Sequence, residues 1–124
     1  MSQWRTAKMR ELVRISKALS DEKRVRMLKL LLVRDICVCE MEEILPMSAS
    51  QISRSLKMIM DAGFLKRWRE GKCVVYAVDR SSANRYCRAL LELLTDSFNS
   101  DETVLKDRDR LEQVVADKVR ERKK

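Results

Sequence analysis

The chain has 124 residues, enough for one domain but not for two independent cores. It carries 27 Lys and Arg against 19 Asp and Glu, a net charge of +8, which favours a polyanionic partner and nucleic acid first. There is no His and only two Gly and one Pro, so the side chain most used for acid–base catalysis and for zinc is missing and enzyme readings start at a disadvantage.

No apolar run approaches the roughly 18 residues of a spanning helix, and the opening MSQWRTAKMR lacks the apolar stretch of a secretory signal. The expected location is the cytoplasm, away from any membrane. There Cys37, Cys39, Cys73 and Cys87 would be reduced thiols, free for metal or redox work.

From Arg5 to Leu19 the residues Met9, Leu12, Val13, Ile15 and Leu19 recur at nearly helical spacing, and Ser20-Asp21 interrupts them. Either Ser20 or Asp21 can cap a second helix, with Val25, Leu28, Leu31 and Leu32 as its stripe, ending near Arg34. A third, shorter helix is predicted from Val38 to Leu45, closed by Pro46. Ser48-Ala49-Ser50-Gln51 then fits a capping box, with Ile52, Leu56, Ile59 and Met60 as the buried face and Gly63 as the stop. Met27, Met41, Met58 and Met60 read as core.

After Gly63 the period changes. Residues Phe64 to Arg69 and Cys73 to Val78 are rich in strand formers and flank Glu70-Gly71-Lys72, predicting a β-hairpin with a basic tip. Ser81 or Ser82 would open a further helix carrying Tyr86, Leu90, Leu91, Leu93 and Leu94. A charged segment, 101–124, spaces Val104, Leu111, Val114, Val115 and Val119 helically.

Two helices, a tight junction, a capped third helix and a hairpin follow the order of a winged helix-turn-helix. The expected fold is therefore mainly α with a small β-hairpin (α+β). Residues 1–99 would form the DNA-binding and dimerisation domain and 100–124 a charged helical extension. A helix of this kind enters a major groove ~12 Å wide with its N-terminal residues against base edges. Ser48, Ser50, Gln51, Ser53, Arg54 and Lys57 are the candidates for the DNA-facing side, and Lys66, Arg67, Arg69 and Lys72 would bring the hairpin to the backbone. Six basic and two acidic residues lie between Ser48 and Lys72, so the excess charge sits where double-stranded operator DNA would lie.

Four stretches carry a closer resemblance: Asp35-Ile36-Cys37-Val38-Cys39-Glu40-Met41, Ser50 to Lys57, Asp61-Ala62-Gly63-Phe64-Leu65, and Arg69 to Tyr76. Together they resemble the ArsR/SmtB family of metalloregulatory repressors from about Leu12 to Leu94. The resemblance implies a homodimer joined through its first and last core helices, bound to its operator until a toxic ion binds. Cys37-Val38-Cys39 is similar to the inducer site of the arsenite-responsive branch, which implies arsenite or a related trivalent arsenical as inducer. That branch often has a third Cys three residues after the second, a position held here by Glu42.

In an ideal helix residues i and i+2 point apart, whereas in an extended segment they share a face. One thiophilic ion held by Cys37 and Cys39 is therefore expected to unwind the start of the third helix and re-aim the next one. A third ligand could come from Cys73, distant in the chain, or from Cys87, or be water. The His-and-carboxylate zinc site of other family members is not visible in 79–86. The same cysteines could instead serve a redox or reactive-sulfur sensor, or the module could sense a small organic ligand. A thiol oxidoreductase lacks the expected α/β pattern.

Overall fold

The computed structural model describes the backbone of residues 2–122 and the side chains of 9–119; Lys123 and Lys124 of the predicted extension lie outside the described residues. Helix α1 (Ser2–Ala18) buries Ile15 and Ala18 but leaves Met9, Leu12 and Val13 exposed. Of the two possible caps, Asp21 starts α2 (Glu22–Val33), its carboxylate accepting from the Lys23 N–H at 2.7 Å. Met27, Leu28, Leu30 and Leu31 of α2 form the centre of the core. Lys29 lies among them and remains tolerable there because its Nζ donates to the Leu94 carbonyl and to Asn99 Oδ1 at 2.8 and 2.9 Å.

The first departure from the expected order is a short strand, β1 (Ile36–Cys37), followed at once by α3 (Val38–Ile44). Pairing explains it. β3 (Cys73–Val78) lies between β1 and β2 (Leu65–Glu70) in an antiparallel sheet of order β1-β3-β2, so the hairpin's inner strand has both edges hydrogen-bonded. Ile36 sits opposite Tyr76 and Cys37 opposite Val75. The hairpin turn is shorter than expected: Glu70 belongs to β2, and Gly71 takes φ +61° beside Lys72.

Helix α4 (Ala49–Ala62) has the predicted capping box, Ser48 Oγ accepting from the Gln51 N–H and Gln51 Oε1 from the Ser48 N–H at 3.2 and 3.1 Å. Gly63, at φ +105°, ends it. Ile52, Leu56 and Ile59 are buried and Met60 partly so, but Met58 is 46% exposed and leaves the predicted core set.

Neither Ser81 nor Ser82 caps α5 (Arg85–Thr95). Asn84 does, its Oδ1 accepting from the N–H groups of Tyr86 and Cys87. The charged α6 (Glu102–Arg122) packs across α2 and α3, burying Val104, Leu111 and Val114. It is held there by a two-pronged Arg26–Asp107 pair at 2.9 Å and by Arg110 Nε donating to the Glu43 carbonyl. Val119 stays exposed.

Candidate functional site

Cys37 is the residue before α3, with φ −72° and ψ 149°, and Cys39 is the second residue of that helix. The chain turns from extended to helical between them. The i, i+2 pair therefore converges without unwinding the helix, contrary to the unwinding expected from an ideal helix. Glu40 fixes the junction by accepting from the Cys37 N–H at 2.8 Å.

The third thiol comes from Cys73. Side chains alternate along a strand, so Cys73 and Val75 share a face of β3, and Val75 is paired with Cys37. The sulfurs of Cys37, Cys39 and Cys73 all lie within 4.8 Å of one another, with Cys39 and Cys73 at 3.9 Å. Cys37 is buried, Cys73 intermediate and Cys39 exposed, so the cluster opens to solvent on one side. Three sulfurs and no imidazole make a donor set suited to a soft ion. Cys87 lies elsewhere, fully buried with its Sγ donating to the Ala62 carbonyl.

Burial, reinforced by hydrogen bonds to Cys73 and Cys39, pushes the Cys37 thiol up to about 12, and Lys118 pulls in the other direction. Lys118 reaches the cluster from α6, its Nζ 3.7 Å from Cys39 Sγ and 3.8 Å from Glu40 Oε2. Burial lowers the pKa of this ammonium, but Glu40, Cys39 and Cys37 together outweigh it and the net shift is upward. Neither the third thiol nor this lysine is suggested by local spacing. Both appear only once the strand register and the α6 packing are known.

All ten DNA-facing candidates are exposed. Ser48 and Gln51 spend their polar atoms on the cap of α4, and Lys57 is 3.4 Å from Asp61. Arg67 Nη1 donates to the Tyr76 hydroxyl across the hairpin. Ser53 and Lys57 of α4 and Arg67 and Lys72 of the hairpin line one open cleft of about 510 Å³, and Cys39 and Cys73 form part of the same wall. The thiol cluster thus borders the basic surface directly. Ser50, Arg54, Lys66 and Arg69 lie outside the cleft lining.

A helix pair whose second helix is capped and exposed, flanked by a basic hairpin, defines a winged helix-turn-helix. Residues 21–67 match the profile of the bacterial regulatory protein, arsR family. A cadmium resistance regulatory protein CadC homolog from Staphylococcus aureus is 34% identical over 70 residues, 56% of this chain and 58% of that protein. The arsenic resistance regulator ArsR1 of Pseudomonas putida is 41% identical over 64 residues, 50% of this chain and 49% of that protein. Each match spans about half the length of the relative. Reduced HlyU from Vibrio cholerae superposes with a TM-score of 0.62 at 26% identity, covering 74% of this chain and 93% of that one. The arsR-family match covers residues 21–67, and the likeness to the cadmium and arsenic resistance regulators extends over about half of the chain. Among the described residues no helix is long and apolar enough to cross a membrane.

Proposed function

We propose that this protein is a cytoplasmic, homodimeric repressor that holds double-stranded operator DNA until a thiophilic ion, arsenite or another trivalent arsenical or a soft divalent cation, binds Cys37, Cys39 and Cys73. The observation that carries this is the convergence of three sulfurs within 4.8 Å of one another, two of which, those of Cys39 and Cys73, lie on the wall of the basic cleft. Ser48, Ser50, Gln51, Ser53, Arg54 and Lys57 face the major groove, and Lys66, Arg67, Arg69 and Lys72 face the phosphates. The exposed Met9, Leu12 and Val13 of α1 and Leu93 of α5 supply the apolar surface for a second copy. The relatives named for cadmium and for arsenic resistance support an ion as inducer.

Ion and DNA oppose each other through the wing. Metal–sulfur bonds of ~2.3 Å hold their sulfurs at one fixed spacing. An ion bound to all three thiolates therefore locks the base of β3 to the start of α3. Lys57, Arg67 and Lys72 share that wall, so the ion alters the spacing of the groups that grip phosphate. By linkage, an ion that binds the free form better weakens DNA by the same factor. A divalent cation displaces a proton from each thiol, so its affinity rises with pH.

Fluorescence anisotropy of a labelled duplex from upstream of the protein's own gene, under reducing conditions, tests this. Wild type is expected to leave on addition of arsenite or cadmium(II), and Cys37→Ser/Cys39→Ser to remain bound. Wild type that stays bound with either ion contradicts the reading. A second reading is favoured by the 3.9 Å between Cys39 and Cys73. An oxidant such as peroxide would take two electrons and two protons from the pair and join them as a disulfide. Release by peroxide alone would select it.

A further inference from the structure

Among the described residues Lys118 is the cation that α6 brings to the sulfur cluster, and contacts earlier in that helix fix its place there. Asp107 is clamped by Arg26, Leu111 and Val114 are buried, and Arg110 is tied to the Glu43 carbonyl. Lys118 then sits half-buried, 3.7 Å from Cys39 Sγ and 3.8 Å from Glu40 Oε2. Glu40 already accepts from the Cys37 backbone through its other oxygen. On the cleft side, Lys57, Arg67 and Lys72 are opposed by Glu42 alone among the lining residues. The surroundings of the sulfurs are therefore net positive.

The two ions compatible with three thiolates differ in the charge they leave behind. A divalent cation displaces three thiol protons to give a complex of charge −1. Arsenous acid condenses with three thiols, releasing three waters, and the product is neutral. A fixed positive charge stabilises the first complex and is nearly indifferent to the second. We propose that Lys118 sets the charge preference of the thiol site, favouring a soft divalent cation over a trivalent arsenical. This rests on the three-thiolate ligand set.

The test measures the affinities of the full chain for cadmium(II) and for arsenite at pH 7 by thiolate-to-ion charge-transfer absorption. Wild type, Lys118→Met, Lys118→Arg and Cys73→Ser are compared. Lys118→Met is expected to weaken cadmium binding on the order of tenfold, the scale of one screened charge a few ångströms away. Arsenite affinity should change less than twofold, and Lys118→Arg should retain most of the cadmium affinity. Because Lys118 also tethers α6, a merely structural role would weaken both ions alike. Equal losses for the two ions, or cadmium binding unchanged by Lys118→Met, would overturn the proposal while Cys73→Ser still impairs both. If Cys73→Ser leaves both affinities unchanged, the three-thiolate set fails and takes the charge preference with it.

Discussion

Cys37 and Cys73 become neighbours through one pairing, Cys37 with Val75, which no local pattern announces. At the residue scale Cys37 and Cys39 were legible because a Cys-Val-Cys run beside a helix start has few other uses in a reduced protein. Cys73 read as distant because chain separation hides strand register. Cys87 belongs to the core: burial pushes its thiol up to about 11, above an ordinary value of 9.0. As pH rises, the unfolded chain loses this proton first. The stabilisation from Cys87 is therefore complete below about pH 9 and declines toward pH 11, by at most ~1.4 kcal/mol per pH unit. Denaturant midpoints between pH 8 and 11 are expected to fall less steeply for Cys87→Ala than for wild type, and parallel curves would contradict the assignment.

Helices with a clear stripe and a chemical cap were readable at the scale of elements; short or competing signals were not. The α4 boundaries follow directly from Ser48, Gln51 and Gly63, whose cap and left-handed stop leave the chain little choice. β1 spans two residues, too few to show any period, and exists because β3 needs a partner on its second edge. Ser82 is buried and its Oγ accepts from the Asn84 N–H, so the cap of α5 passed to Asn84. Ser48→Ala removes an acceptor from the N-terminus of the helix assigned to DNA. It should cost about 1 kcal/mol in a denaturation curve and lower operator affinity while leaving the ion affinity of the cluster unchanged. A variant as stable as wild type would show that the cap contributes little.

The proposed function gives two surfaces of the whole molecule different partners. The basic face joins α4 to the wing, and the apolar face presents Met9, Leu12 and Val13 of α1 with Leu93 of α5. An α1 stripe that recurs at helical spacing in the sequence and yet lies 40–70% exposed at these three residues fits a face kept for a second copy. Val13→Asp is expected to give a monomer in sedimentation velocity with weakened operator binding, because a half-site grip loses its partner. An unchanged dimer would place the interface elsewhere. The role of α6 was not legible, since a charged amphipathic helix reads equally well as solvated; its packing on α2 and α3 places it beside the sulfurs.

The central claim, that one ion joins the start of α3 to the wing and so releases DNA, is tested most directly by operator release in Cys73→Ser. Fluorescence anisotropy under reducing conditions would follow the DNA complex as arsenite or cadmium(II) is added. The variant should hold the operator within about twofold of wild type but require at least about ten times more ion to leave it, the loss of one of three sulfur ligands. Release of Cys73→Ser at the wild-type ion concentration would contradict the account.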